Sequence, residues 1–399
     1  MSGPHSIDRT FWKRVRNYPY AGLDFLLDED LRLVFIEANA VPGGIYVMNR
    51  ANKLIHESAP RLRSMIPRTN YVRDFVRMSL VHYHFSTQNN VPRKILITTP
   101  INGSLLLMPE RVSILREFAR VGIEAYIANR SKYYINSGVL LVKLGSKLFV
   151  PDMVIRRNTC FPKGIRQPVI NSSEIGIITG SKFRTYRIVC ELLDKCGSLR
   201  KLLYVPRTYY SRSLDDAVDK VGKILKYSDI AVVKPNMGEG GRDIVFIKSV
   251  SSAMEKLRKL FRGGYRSVVI QEMINAHKLS IDGRSYVFDI RAYAYLGELV
   301  GFHGRRCPMP VHVGSMEGWA ISNVSRGGKY LPILTGDGVY VAKWSEKQHR
   351  IYPFRGIYVD KFALIIDYDL TKKLQLAVRE IVIAISQSLS RFWDGKNAA

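Results

Sequence analysis

The spacing of apolar and polar residues changes character several times along this chain, and each change marks an element. Residues 20–44, Y-A-G-L-D-F-L-L-D-E-D-L-R-L-V-F-I-E-A-N-A-V-P-G-G, read as two apolar strands around an acidic turn (Asp28, Glu29, Asp30), closed by Pro-Gly-Gly. A short helix over 8–17 precedes them. Helical spacing over 48–62 and 71–83 predicts two helices broken at Pro67, in which Tyr71, Phe75, Met78, Tyr83 and Phe85 read as packing residues. From Arg93 the texture becomes strand (94–98), helix (109–121), strand (122–127), hairpin (138–150) and strand (152–156). That order implies a small parallel sheet whose strand ends border a cleft. Arg156 and Arg157 lie at one such end, either to meet an acidic substrate or as a solvated basic edge.

The second half continues with a helix over 181–196, a helix after Ser213 whose start resembles a capping box, and a strand at 230–233. A glycine-rich turn and a second strand at 244–247 follow, then a helix at 252–261 and a strand at 267–271. A long hairpin over 285–306 is expected to turn at Gly297-Glu298, and the last helix, 371–392, carries Leu374, Ala377, Val378, Ile381, Ile385 and Leu389 as its buried stripe.

Three places in this pattern carry residues that packing alone does not call for. Ile230–Val233 delivers Lys234 into a turn with Gly238, Gly240 and Gly241. Glycines let backbone N–H groups approach phosphate oxygens, and the lysine adds a point charge; an ordinary glycine turn is the alternative. Asp24, Glu37 and Asn39 interrupt the apolar strands of the N-terminal hairpin, with Glu37 and Asn39 on one face. Two carboxylates and an amide oxygen suit Mg²⁺, whose remaining positions phosphate and water can fill. Asp289, Arg291, Arg305 and Arg306 stand in the 285–306 hairpin, where arginines on a sheet face grip phosphate bidentately. Lys182, in the first turn of its helix, opposes the helix dipole and so suggests an external anion.

Composition bounds the function. The 399 residues are 46% hydrophobic and 24% charged, enough for two or three subdomains. No apolar run of about 18 residues exists to span a membrane. Met1–Arg9 lacks the apolar core of a signal peptide. Cys160, Cys190, Cys196 and Cys307 have no C-x-x-C spacing, which argues against structural zinc and reads as the reduced thiols of a cytoplasmic protein. The net charge of +27 favours anionic partners: a nucleotide, an acidic or carrier-borne substrate, or nucleic acid. P-loop and dinucleotide G-x-G-x-x-G spacings are missing, as are RNP-like, zinc-knuckle and helix-turn-helix patterns.

Together these motifs resemble the ATP-grasp superfamily, within it the branch of RimK-type ligases and YheC/D-like proteins. The resemblance lies in K-F-R-T-Y-R-I-V from Lys182, V-P-R-T, V-V-K-P with G-E-G-G-R, V-I-Q-E-M-I, F-D-I-R-A-Y, G-R-R and S-N-V-S-R-G-G, in the family's order over roughly residues 93–345. It implies an α+β and α/β fold of two lobes gripping ATP, with a small α/β domain before them. In that family the hairpin with the metal ligands closes the chain; the matching hairpin here opens it, implying a circular permutation. The implied division is 1–45 permuted metal hairpin, 46–92 helical connector, 93–180 α/β domain, 181–270 lid lobe and 271–399 large lobe. A hairpin swapped into a neighbouring subunit, or one left from a lost tandem domain, are the alternatives.

By resemblance Lys182 and Lys234 bind ATP phosphates under a lid of Gly238, Glu239, Gly240, Gly241 and Arg242. Gln271 and Glu272, with the backbone of Met273 and Ile274, hold adenine. Arg291, Arg305 and Lys234 act on the phosphoryl group in flight, and Asp24, Glu37 and Asn39 hold two Mg²⁺, or Mn²⁺ in their place. The implied activity is ADP-forming ligation of a carboxylate to an amine or thiol through an acyl-phosphate. A small-molecule kinase on the same scaffold and a basic nucleic-acid-binding protein without turnover are the alternatives; oligomeric state is left open.

Overall fold

The structure is a computed structural model that describes residues 7–67, 70–89, 91–100, 108–157, 161–238, 240–351 and 358–394. Its architecture is a mixed α+β one, organised by an 11-stranded sheet into which the N-terminal hairpin is inserted. The hairpin strands Tyr20–Leu27 and Leu33–Asn39 pair antiparallel, and the first also pairs antiparallel with Arg284–Tyr295, which lies in the last third of the chain. Arg284–Tyr295 and Glu298–Arg306 form the expected long hairpin. Its turn is Leu296-Gly297, both with positive φ, one residue earlier than the sequence suggests. Two positive φ angles give the turn whose twist matches the strands it joins.

One face of this sheet is apolar. Leu23, Phe25, Phe35, Ile290, Ala292 and Phe302 share the main core with the last helix, Tyr368–Asp394, whose buried stripe contains all six residues expected from its spacing. Burying each large aliphatic side chain contributes roughly 1.5–3 kcal/mol, so this face anchors the sheet. The helix Lys182–Lys195 packs into the same core through Tyr186, Val189 and Leu193. Lys329–Gly336 and Phe362–Asp367 extend the sheet in parallel; their continuous apolar runs, buried on both sides, lack the alternation that would have announced them.

Two smaller sheets frame the large one. Thr208–Ser211, Val268–Glu272, Ala231–Pro235 and Val245–Ile247 form an antiparallel sheet covered by the helices Leu214–Ile224 and Val250–Arg262. Glu124–Asn129, Lys94–Thr99, Met153–Ile155 and Val169–Ile170 form the expected parallel sheet, with helix Met108–Arg120 between its first strands in sequence. The stretch read as one hairpin over 138–150 is a three-stranded meander, because Tyr133–Asn136 pairs with Val139–Leu144 before Lys147–Phe149 does. Cys190, Cys196 and Cys307 are free thiols; Cys160 lies outside the described residues.

Asn171 locks the hairpin to the parallel sheet. It is buried in the left-handed region at φ 61°, which asparagine tolerates better than most residues. Its Oδ1 accepts from Tyr20 N at 3.3 Å, and its Nδ2 donates to the carbonyls of Tyr20 and Ala40. Asn171→Ala strands these buried groups and strains the backbone. It is expected to cost about 2–4 kcal/mol, read as a lowered urea midpoint with unchanged m-value.

Candidate active site

The other face of the large sheet is where charge collects, and the pairing register explains why. Glu37, Asp24, Arg291 and His303 stand opposite one another on four successive strands, and Asp289 and Arg305 form the next row but one. Residues directly opposite, or two apart along a strand, share a face. Arg291 grips Asp24 with Nε to Oδ1 and Nη2 to Oδ2, both at 2.6 Å. Arg305 donates from Nη2 to Asp24 Oδ2 at 2.8 Å and from Nε to Asp289 Oδ1 at 2.8 Å. Asp24 is 1% exposed; burial alone would raise its pKa, but Arg291 and Arg305 together hold its carboxyl well below the usual carboxylate range.

Above this face lies a cleft of about 520 Å³ between the large sheet and the antiparallel one. Val232, Phe246 and Met273 line one wall and Leu26 and Val287 the other; Asp24, Glu37, Lys234, Asp289, Arg305 and Asn323 supply its polar lining. Burial and like-charged Lys182 bring Lys234 down to about 8, with Glu37 offsetting part of the effect. Glu37 points a 28% exposed side chain into the cleft, with Lys182 Nζ at 3.7 Å and Arg291 Nη2 at 3.8 Å.

The glycine turn closes the cleft from the side. Gly240 and Gly241 have φ of 73° and 67°, and a Cβ on Gly241 would stand 2.8 Å from Ile321 Cγ2, so only glycine fits. Arg326 Nη1 donates to Gly241 O at 2.9 Å, and Lys182 Nζ donates to Gly238 O. Asn236, which the sequence reading passed over, joins the two lysine-bearing elements: its Oδ1 accepts from Phe183 N at 3.0 Å, and its carbonyl accepts from Lys182 N at 3.1 Å. The signal was present as a polar residue directly after V-V-K-P.

The expected residues divide accordingly. Asp24, Glu37, Lys234, Gly241, Gln271, Glu272, Met273, Ile274 and Arg305 line one cleft. Arg291 and Asn39 do not: Arg291 is held on Asp24, and Asn39 Oδ1 accepts from Val41 N at 2.8 Å. Arg242 is exposed outside the lining, and Glu239 lies outside the described residues. At the apolar end several groups already have partners. Gln271 Nε2 donates to Thr208 Oγ1 at 2.8 Å, Glu272 accepts from Arg207 N at 2.6 Å and from Tyr204 OH, and Met273 N donates to Ile230 O at 3.1 Å. Asp289 and Asn323 belong to the lining although their sequence context singled them out only as charged or polar positions.

A nucleoside triphosphate fits this cleft, which is apolar where a base would lie and has Lys234 in its lining, with Lys182 beside it on the glycine turn. Among the described residues no three His, Cys, Asp or Glu side chains are grouped to hold a metal. An ion shared with phosphates needs only one or two carboxylates, and Glu37, whose nearest cations stand beyond hydrogen-bond distance, fits that role.

Lys234 is expected to titrate near 8 in a lysine-selective NMR experiment, and Lys182→Met to move it upward by removing a like charge. Because its folded value lies below the ordinary 10.5, the unfolded chain holds more protons between about 8 and 10.5, and this lysine's contribution favours the folded state increasingly as pH rises through that window.

No protein-family model and no curated protein matches the sequence. Among solved structures, the chain resembles a putative gamma-glutamylcysteine synthetase from Methylobacillus flagellatus KT, with a TM-score of 0.62 at 13% identity over 96% of each chain. It also matches a glutathione synthetase-like effector from Globodera pallida (TM-score 0.47, 12% identity, 74% of this chain and 76% of that one). A RimK domain ATP-grasp protein from Sphaerobacter thermophilus matches with a TM-score of 0.36 and 14% identity, over 73% of this chain and 98% of that one. What the chain shares with the first of these, over nearly the whole of both chains, is architecture, the ATP-grasp fold.

Proposed function

We propose that the protein is an ATP-dependent ligase that joins a carboxylate to an amine, or to a thiol, through an acyl-phosphate. The observation that carries this reading is the meeting, across one cleft, of Lys234 and its glycine turn with Glu37 and the Asp24–Arg305 pair. In such a reaction the γ-phosphoryl group passes from ATP to a carboxylate oxygen, releasing ADP. The amine then attacks the acyl carbon, phosphate leaves, and the nitrogen gives up a proton.

Lys182 and Lys234 neutralise the phosphates, and the backbone of the glycine turn covers them. Arg305, held in place by Asp24 and Asp289, presents a fixed positive charge to the moving phosphoryl group. Arg291 fixes Asp24 and thereby Arg305. Magnesium, when bound with the nucleotide, would be held by Glu37 and would offset charge on the phosphates. No covalent enzyme intermediate is needed, since positioning and charge carry the chemistry.

The chain order fits a circular permutation of the RimK-type arrangement, with the lid lobe at 181–270, the large lobe at 271–399 and the hairpin of residues 1–45 completing it. Two contacts support this reading. The hairpin pairs with its own chain's Arg284–Tyr295 strand, and Asn17 meets the last helix, with Nδ2 donating to Ser386 O at 3.0 Å. The beginning and end of the fold are therefore neighbours, which makes such a rearrangement physically inexpensive.

Screening ADP release against amino acids, polyamines, sugars and polyols tests the proposal. A ligase sustains ADP release over many turnovers only with both carboxylate and amine present, whereas sustained ADP release with a hydroxyl compound alone sinks the ligase reading in favour of a kinase. Glu37→Gln and Lys234→Met are each expected to lower turnover roughly 100-fold or more with the melting temperature little changed; full Mg-dependent activity in Glu37→Gln would remove that residue from the metal role.

A further inference from the structure

Beside the hairpin's Pro-Gly-Gly exit lies a buried cationic cluster that the nucleotide cleft does not use. The parallel strands end there at Thr98, Thr99 and Arg157, and helix Met108–Arg120 begins there with Glu110 and Arg111. Arg111 is 1% exposed and Arg157 2%. Arg157 is well partnered: Nη1 donates to Pro42 O at 2.9 Å, and Nη2 meets the Glu110 carboxylate, whose other oxygen accepts from Gly44 N at 2.8 Å. Glu110 is thus spent. Arg111 is left with Arg157 O at 3.3 Å and the Met108 sulfur at 3.8 Å, and no carboxylate among the described residues forms an ion pair with it.

Three buried polar atoms in this cluster have no hydrogen-bond partner among the described residues: Arg111 Nε, Arg157 Nε and Thr99 Oγ1. Arg157 N donates to Thr98 Oγ1 at 2.9 Å, which ties the strand ends together beside them. The neighbouring Arg156 differs in having Glu174 as its nearby carboxylate: its Nε donates to Asn171 O and its guanidinium packs on Gly176, although its Nη2 also has no partner among the described residues. Burial and the nearby Arg157 bring Arg111 down to about 10, with Glu110, whose carboxylate is shared with Arg157, offsetting only part of the effect. Leaving one buried charge uncompensated is costly, and unsatisfied donors around it add to that cost.

We infer that Arg111, with Arg157 and Thr99, binds the carboxylate of the amine-bearing substrate. One uncompensated guanidinium calls for one negative charge, and its planar fork matches a carboxylate, whereas a phosphate dianion would overcompensate. The place suits a second substrate: Tyr293, two residues from Arg291 on the same strand face, donates its hydroxyl to Gly43 O, so the cluster and the nucleotide cleft flank one hairpin exit. The site stands on its own observations; the identity of its ligand as the acceptor rests on the ligase reading.

The test uses the full chain, as wild type and as Arg111→Met, with the standard L-amino acids, the same compounds as amides, and inorganic phosphate at matched ionic strength. Thermal shift and calorimetry should show wild type binding at least one free amino acid and not its amide. Arg111→Met should bind it at least tenfold more weakly, keep its affinity for a non-hydrolysable ATP analogue within about twofold, and be at least as stable as wild type without ligand, since it loses an unpaired buried charge. Equal binding of acid and amide, undiminished binding by Arg111→Met, or no binding by any amino acid overturns the inference, and Arg111-dependent binding of phosphate alone overturns the carboxylate assignment. Arg111-dependent binding without amine-dependent ADP release leaves the site standing and the ligase reading fallen; amine-dependent ADP release untouched by Arg111→Met does the reverse.

Discussion

The bidentate grip of Arg291 on Asp24, shared with Arg305, is the interaction on which the rest depends. It clamps the first strand of the chain to a strand that begins more than 250 residues later, and it does so on the face that looks into the cleft. Removing one member of such a buried network would leave its partners charged and unpaired, at a cost of about 3–5 kcal/mol. The apolar face of the same strands supplies most of the adhesion, through the core shared with the last helix. The polar face fixes register, because a slip of one residue would carry Asp24 into that core and Leu23 into the cleft.

Charge balance links the two halves of the account. Around the cleft, Asp24, Glu37 and Asp289 meet Lys182, Lys234, Arg291 and Arg305, while Asp229, Glu272 and Lys278 also line it, so carboxylates and cations are about evenly matched there. At the hairpin exit, Glu110 faces Arg111 and Arg157, one carboxylate against two cations. At the hairpin exit the protein is therefore short of negative charge in a position largely withdrawn from water, where electrostatic interactions are strong.

Much of this was legible in the order of residues. Short apolar strands interrupted by Asp24, Glu37, Asp289, Arg291 and Arg305 announce a sheet with one charged face, because a strand buried on both sides has no use for them. The glycines after Lys234 announce a close backbone approach. What the sequence concealed was pairing. Nothing in it says that Arg291 and Arg305 would close on Asp24, or that Glu272 would be taken by Tyr204 and Arg207, since those partners lie 68 to 281 residues apart or come from a backbone N–H. The strands Lys329–Gly336 and Phe362–Asp367 were silent for a different reason: fully buried runs carry no period. The role of Arg111 was hidden because its significance is the lack of a carboxylate of its own among the described residues, which only three-dimensional accounting reveals.

The central claim is that the N-terminal hairpin and the glycine turn build a single nucleotide site. A crystal structure with a non-hydrolysable ATP analogue and magnesium tests it most directly. The account predicts the triphosphate between Lys182, Lys234 and the glycine turn on one side and Glu37 on the other, with the base against Val232, Phe246 and Met273. A nucleotide bound elsewhere, or bound to the glycine turn with Glu37 turned away from both metal and phosphates, would contradict it.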